Sequence, residues 1–240
     1  MTDSTSRLCF LGDSITNSET AGRFYWQYIA DMTGAKVHCF GVNGAQTDSL
    51  LEQLARMKDE VGDSFDTLFI FAGTNDFNHS VPLGSFFTEH ECLVPINSGA
   101  DGEFTEFTTV KKREFVFDTS TFRGRLNTVL SEIRKSYTDK RIILLTPIHR
   151  AFAFFGGSNI QPDELHANKI GEYFESYIQA EREAADIWAV ELIDLYRESG
   201  LFPLYENHAE SFFCNKERDC LHPNCAGQEK IARAILRRLG

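Results

Sequence analysis

Short apolar runs alternate with amphipathic stretches along this chain. Leu8-Cys9-Phe10-Leu11 is the first run; it stops at Gly12, and a helical stretch follows near 22–33. Lys36–Phe40 is the second strand candidate and stops at Gly41. Leu50, Leu51, Leu54, Met57 and Val61 then recur at helical spacing. Thr67–Ala72 is a third buried run, ending at Gly73. Phe122, Leu126, Val129, Leu130 and Ile133 mark a helix with one apolar face, and Arg141–Leu145 reads as a fourth strand ahead of Pro147. Ile170, Tyr173, Phe174, Tyr177 and Ile178 predict another helix, Trp188–Ile193 a fifth strand, and Pro223 the start of a last helix carrying Ile231, Ile235 and Leu239. Runs that are apolar on both faces and alternate with helices belong to a parallel sheet covered on both sides. The expectation is one three-layer α/β domain over 1–240, with its functional edge outside the carboxyl ends of the strands.

Residues 77–118 break the alternation, being far longer than a usual crossover loop. Asn97–Gly102 is a turn signal, and the flanking Phe104–Phe107 and Glu114–Phe117 suggest short strands, as in a hairpin. The segment carries Phe86, Phe87, Phe104, Phe107, Phe115 and Phe117. A lid over an acyl chain and a homo-oligomer contact are the functional readings. A satellite core that holds a long loop together is the simpler one and is preferred.

Composition narrows the class. A length of 240 residues, 42% apolar and 25% charged, is ordinary for a globular chain and excludes a disordered, collagen-like or coiled-coil protein. A net charge of −11 argues against non-specific binding of nucleic acid or of an anionic membrane. Met1–Arg7 shows no charged and then apolar leader, and no window approaches the ~18 apolar residues of a membrane span. Cys9 and Cys39 lie inside strand candidates, where free thiols behave as small hydrophobes. These features together predict a reduced, cytoplasmic setting.

Four polar clusters sit after strand candidates or before a helix. Gly12-Asp13-Ser14-Ile15-Thr16 follows the first strand, so Ser14 stands at the functional edge; the bland alternative is a turn with a Ser N-cap. Gly41-Val42-Asn43-Gly44-Ala45-Gln46-Thr47 follows the second, where glycine leaves a backbone N–H unshielded or merely makes a turn. It is not a dinucleotide fingerprint. Gly73-Thr74-Asn75-Asp76 follows the third; Asn75 donates into the crevice or forms an Asx-turn. Asp219-Cys220-Leu221-His222-Pro223 precedes the last helix. Its carboxylate and imidazole, three apart, can meet on one side of a turn, or Asp219 simply caps the helix start. Jointly the clusters offer a nucleophile, a base with its carboxylate, and oxyanion donors, which is a complete acyl-transfer site.

With these residues in order over 12–222, the sequence resembles the SGNH (GDSL-type) hydrolase superfamily of esterases and lipases. The resemblance implies Ser14 as nucleophile, His222 as general base and Asp219 as its orienting acid. It implies an oxyanion hole from the Ser14 N–H, the Gly44 N–H and the Asn75 side chain. It also implies a flavodoxin-like α/β/α sandwich with a five-stranded parallel sheet, and chemistry that needs no metal or organic cofactor. The first block reads Gly-Asp-Ser-Ile rather than Gly-Asp-Ser-Leu, within the family's range. The long 77–118 insertion keeps the substrate pocket from being carried over. Asp13 is expected to brace its turn.

Thr146-Pro147-Ile148-His149-Arg150 follows the fourth strand, so His149 and Arg150 either bind a polar substrate group or brace the edge through ion pairs. Phe152, Phe154 and Phe155 make a second aromatic loop at that edge. Cys214, Cys220, Cys225 and His208 lack metal-ligand spacing, so a zinc site is disfavoured. The preferred reading is a serine esterase on a small-molecule acyl ester, with short acyl groups favoured on a carbohydrate or small metabolite. A lipase or thioesterase for longer chains, and a non-catalytic binding module on the same fold, are the alternatives.

Overall fold

The computed structural model describes residues 5–239; of the N-terminal segment read above for a leader, residues 1–4 lie outside it, as does Gly240. In chain order the elements are β1 (Arg7–Gly12), α1 (Tyr25–Thr33), β2 (Lys36–Cys39), α2 (Leu50–Val61), β3 (Thr67–Phe71) and α3 (Thr74–Asn78). They continue as β4 (Phe87–Ser98), β5 (Phe104–Phe115), α4 (Phe122–Ser136), β6 (Arg141–Leu145), β7 (Ala153–Phe154), β8 (Ile160–Gln161) and α5 (Phe174–Trp188). The last are β9 (Glu191–Ile193), α6 (Leu195–Glu198), α7 (Glu206–Phe212), β10 (Phe213–Asn215), β11 (Asp219–Pro223) and α8 (Cys225–Leu239).

The central sheet has five strands in the order β2-β1-β3-β6-β9, and every pairing is parallel. Successive strand side chains point to opposite faces, and this sorts the apolar runs into two cores. Cys9, Leu11, Leu68, Ile70, Ile142 and Leu144 pack with α2, α4 and α5. Leu8, Phe10, Phe69, Phe71, Ile143 and Leu145 pack with α1 and α8. Phe10 and Phe69, side by side in register, stack with ring centroids 4.8 Å apart. The result is the flavodoxin-like three-layer sandwich. Its strand order reverses at β1, so the crevice opens above the carboxyl ends of β1 and β3.

Three boundaries differ from the sequence reading. α5 runs through Trp188, so the fifth strand begins at Glu191 rather than at Trp188. Trp188 donates from Nε1 to Asn127 Oδ1 at 2.9 Å, and Arg134 binds the Trp188 carbonyl; these contacts hold the last helical turn. Ile170 and Tyr173 have helical spacing but lie ahead of α5 and are exposed. The last helix starts at Cys225, not Pro223, because the Asn224 side chain accepts from the N–H groups of Ala226 and Gly227. Pro223 instead ends β11 in a small antiparallel sheet ordered β10-β11-β7-β8.

The 77–118 insertion departs furthest. Its strands are not two short pieces after the turn but two twelve-residue strands, β4 and β5, paired from Phe87–Phe115 to Ser98–Phe104. Only the root is packed: Phe86 is buried, and Phe115 stacks on Trp188. Phe104 and Phe107, expected in a satellite core, are exposed. A two-stranded ribbon has no second layer to cover its faces, so its apolar residues beyond the root stay in water.

Candidate active site

Ser14 stands where β1 ends at the crevice. Gly12 carries the chain there past Thr16 and the Phe71 carbonyl; a Cβ at Gly12 would come 2.6 Å from that oxygen. The Gln53 side chain continues the ladder, accepting from Gly12 N at 2.8 Å and donating to Gly12 O at 2.9 Å. Asp13 closes the turn: its carboxylate accepts from Ile15 N at 2.9 Å, and its carbonyl accepts from Thr16 and Asn17. Gln228 of α8 ties the far side, donating to Ile15 O at 3.0 Å while accepting from Tyr25 N.

His222 arrives from β11, whose pairing with β10 is interrupted between the partners of Phe213 and Asn215. A regular strand would send residues 219 and 222 to opposite faces. The irregularity, with Asp219 Oδ1 accepting from Leu221 N and His222 N, folds carboxylate and imidazole onto each other. His222 Nδ1 lies 3.0 Å from both Asp219 oxygens, and His222 Nε2 lies 2.8 Å from Ser14 Oγ. Because the carboxylate only accepts, it fixes the proton on Nδ1 and leaves Nε2 to accept the serine O–H. Ser14, Asp219 and His222 are all buried. The Phe155 ring stands edge-on to His222, 5.3 Å away, and is itself 40% exposed at the rim.

Across from Ser14, Gly44 adopts φ +75° with nothing within 4 Å of where a Cβ would be. Among the described residues neither the Gly44 nor the Ser14 N–H donates to another group. Asn75, on the first turn of α3, spends one amide hydrogen on Ala45 O at 2.9 Å and keeps the other for the crevice. Asp76 clamps these two blocks together: Oδ2 accepts from Thr47 N and Oγ1, and Oδ1 from Arg125 Nη1 at 2.8 Å. The same Arg125 nitrogen donates to Gln46 Oε1. Burial pushes the Asp76 carboxyl up, against the lowering pull of Thr47 and Arg125. Burial also pushes Asp13 up to about 7 and Glu181, behind Gly73, well above the carboxylate range. A Cβ at Gly73 would meet the Glu181 carboxyl at 2.6 Å, which explains the glycine there.

A recess of about 300 Å³ beside Gly44 is lined by Val42, Asn43, Ala45, Ser49, Glu52 and Arg56. A larger one, about 630 Å³, lies at the root of the β4–β5 hairpin and contains none of Ser14, Gly44, Asn75, Asp219 and His222.

The structure brings Ser14, Gly44, Asn75, Asp219 and His222 to one edge of the sheet. His149 and Arg150 are engaged elsewhere. His149 Nδ1 is 2.5 Å from Glu164 Oε1, and its ring lies on Tyr196. Arg150 is buried, donating to Asn78, to Gln161 at 3.1 Å and to the Pro162 carbonyl. Its guanidinium lies over Phe77 and Phe174, and burial lowers it to about 10. Both therefore hold the 149–164 loop, and neither hydrogen-bonds Ser14, Asp219 or His222. All six cysteines are free thiols, and no group of three or more His, Cys, Asp or Glu among the described residues could hold a metal ion. No helix is long and apolar enough to cross a membrane, again among the described residues.

Sequence reasoning passed over Arg125, Gln53 and Gln228, and gave Asp76 no role. The partners named above stand 29 or more residues away, and no local spacing announces such contacts.

No curated protein matches this chain. Among solved structures it is similar to a protein of Lactobacillus plantarum, 24% identical over 98% of this chain and 96% of that one, with a TM-score of 0.74. A possible lipase from Chitinophaga pinensis is 19% identical, covers 98% of each chain and scores 0.65. The lipase/acylhydrolase of Enterococcus faecalis is 20% identical over 98% of this chain and 95% of that one, with a TM-score of 0.55. At these identities the likeness is one of fold. The model of the GDSL-like lipase/acylhydrolase family, however, matches residues 10–230, so the chain belongs to that family of ester-bond hydrolases.

Proposed function

We propose that the protein is a serine esterase that cleaves a carboxylic O-acyl ester through an acyl-enzyme, with Ser14, His222 and Asp219 as its triad. The observation that carries this reading is the unbroken relay of Ser14 Oγ, His222 Nε2, His222 Nδ1 and the Asp219 carboxylate, at 2.8 and 3.0 Å. His222 Nε2 takes the Ser14 proton as Oγ attacks the ester carbonyl. The negative charge that develops on the carbonyl oxygen is met by the Ser14 N–H, the Gly44 N–H and the free Asn75 amide hydrogen. His222, now an imidazolium stabilised by Asp219, gives its proton to the leaving alkoxide, and the alcohol departs. A water then attacks the acyl-Ser14 carbonyl, with His222 taking its proton and returning it to Ser14.

Short acyl groups are favoured. The recess beside Gly44 is small, and its lining from Asn43, Ser49, Glu52 and Arg56 is polar, which suits an acetyl ester of a carbohydrate or small metabolite. The exposed ring of Phe155, edge-on to His222, supports a second reading, a longer acyl chain lying across that rim.

Intact mass after exposure to a fluorophosphonate, on the wild type and on Ser14→Ala, tests the first claim. One adduct in the wild type and none in the variant is expected. No adduct on either protein would overturn the reading in favour of a binding module. A series of acyl esters of increasing chain length then separates the two substrate readings.

A further inference from the structure

The β4–β5 hairpin projects a surface that nothing in the described chain covers. All twelve residues of β5 are exposed, and so are Leu93 and Ile96 on β4. Leu93, Ile96, Phe104 and Phe107 are 70%, 60%, 64% and 54% exposed. Side chains of this size present on the order of 500 Å² of apolar surface in one arm, near the upper end of the largest patch on a typical monomer. Of these, Phe104 and Phe107 lie on β5, and Leu93 and Ile96 on β4.

The two free edges of the ribbon differ. The β4 edge is blunted: Pro95 has no N–H to offer, and a register shift follows it before Asn97. The β5 edge from Phe107 to Phe115 pairs in unbroken register with β4 and contains no proline or glycine. Its outward N–H and C=O groups are a template for another strand. Lysines on an edge ordinarily deter such pairing, and β5 carries Lys111, Lys112 and Arg113. The same strand carries Glu106 nearer its tip. An antiparallel mate related by a two-fold axis at Thr109 would face Glu106 with Lys112 of the partner subunit. The converse pair repeats across the axis, and Phe107 would lie along the alkyl stem of Lys111 of the partner subunit. The charges that deter a random strand thus match a second copy of this one.

We propose that two copies of this chain join β5 to β5 across a two-fold axis at Thr109, making one four-stranded antiparallel sheet from the two hairpins. The interface is isologous and lies on the insertion rather than on the sheet edge that holds Ser14.

Light scattering coupled to size exclusion, at micromolar protein, tests it. The wild type is expected at twice the 27.2 kDa of one chain. Glu106→Lys should raise the dimer dissociation constant about tenfold, and Glu106→Lys combined with Lys112→Glu should restore it. Phe107→Lys, which sets like charges against Lys111 of the partner subunit, should give a monomer. Thr109→Cys, under mild oxidation, should form a disulfide-linked dimer that the wild type with its own six thiols does not. A monomeric wild type with no Thr109→Cys cross-link would overturn the proposal. So would a dimer that survives Phe107→Lys, because its interface would then lie elsewhere.

Discussion

The carboxyl edge of the central sheet and the β4–β5 hairpin are built from similar residues and behave in opposite ways. At the sheet edge, side-chain amides and carboxylates from distant elements tie the loops down. Gln53 holds Gly12, Gln228 holds Ile15, and Asp76 with Arg125 holds Thr47 and Gln46. Two apolar layers exclude water from below. The hairpin has its backbone ladder and a few surface ion pairs, such as Arg113 to Glu89 at 3.1 Å. Exposed pairs of this kind contribute about 0–1 kcal/mol each. Precision of the kind catalysis needs comes from a buried second set of bonds, which the hairpin lacks. Exposure leaves the hairpin free to meet something else.

The sharpest way to break the comparison is Asn75→Ala. If the crevice is a preorganised oxyanion site, the variant should lose on the order of 10²–10³ in kcat, about 3–4 kcal/mol, with KM little changed. Steady-state kinetics on the best ester from the chain-length series would read it. A loss confined to KM would mean that Asn75 holds substrate or the Ala45 loop, not the transition state.

The layers of the fold were legible because strands such as Leu8–Leu11 and Thr67–Phe71 are apolar on both faces, a pattern only a doubly covered sheet explains. The residues of the candidate site can be picked out because each sits in a short block with its neighbours. Three things were not. The end of α5 was misplaced because Trp188 is apolar in either element, and what decides is its bond to Asn127, 61 residues away. Arg150 offered no local sign that it would be swallowed between Phe77 and Phe174. The hairpin defeated the expectation that apolar residues find a core: Phe104 and Phe107 have the composition of a core and no second layer to make one.

A smaller effect sharpens what burial does at the sheet edge. Asp13 is fully buried, and its carboxyl is raised from an ordinary 3.8 to about 7. Between those values the folded state keeps a proton that the unfolded chain releases, so stability drains away as pH rises from about 4 to about 7. Asp13→Asn keeps an oxygen for Ile15 N–H and has no proton to lose. Its advantage over the wild type should be slight near pH 4, grow up to about pH 7 and then level, at no more than about 4 kcal/mol. Urea unfolding of both proteins across that range would show it. Parallel profiles would mean that Asp13 is ionised throughout.

The smallest expected effect lies on the hairpin. Leu93→Ala removes a side chain that is 70% exposed and faces Thr109 across the ribbon. In dilute solution, where the chain is monomeric, the change should cost no more than about 0.5 kcal/mol. The same truncation inside a core costs about 2–5 kcal/mol, because it leaves a cavity that the hairpin has no layer to form. At high concentration the two halves of the comparison separate. Joining through β5 leaves Leu93, on β4, outside the seam, so the midpoint of thermal unfolding should rise with concentration by the same amount for the wild type and for Leu93→Ala. If both proteins unfold at the same concentration-independent temperature, the apolar arm is covered by nothing, and the contrast between the two regions is one of packing alone.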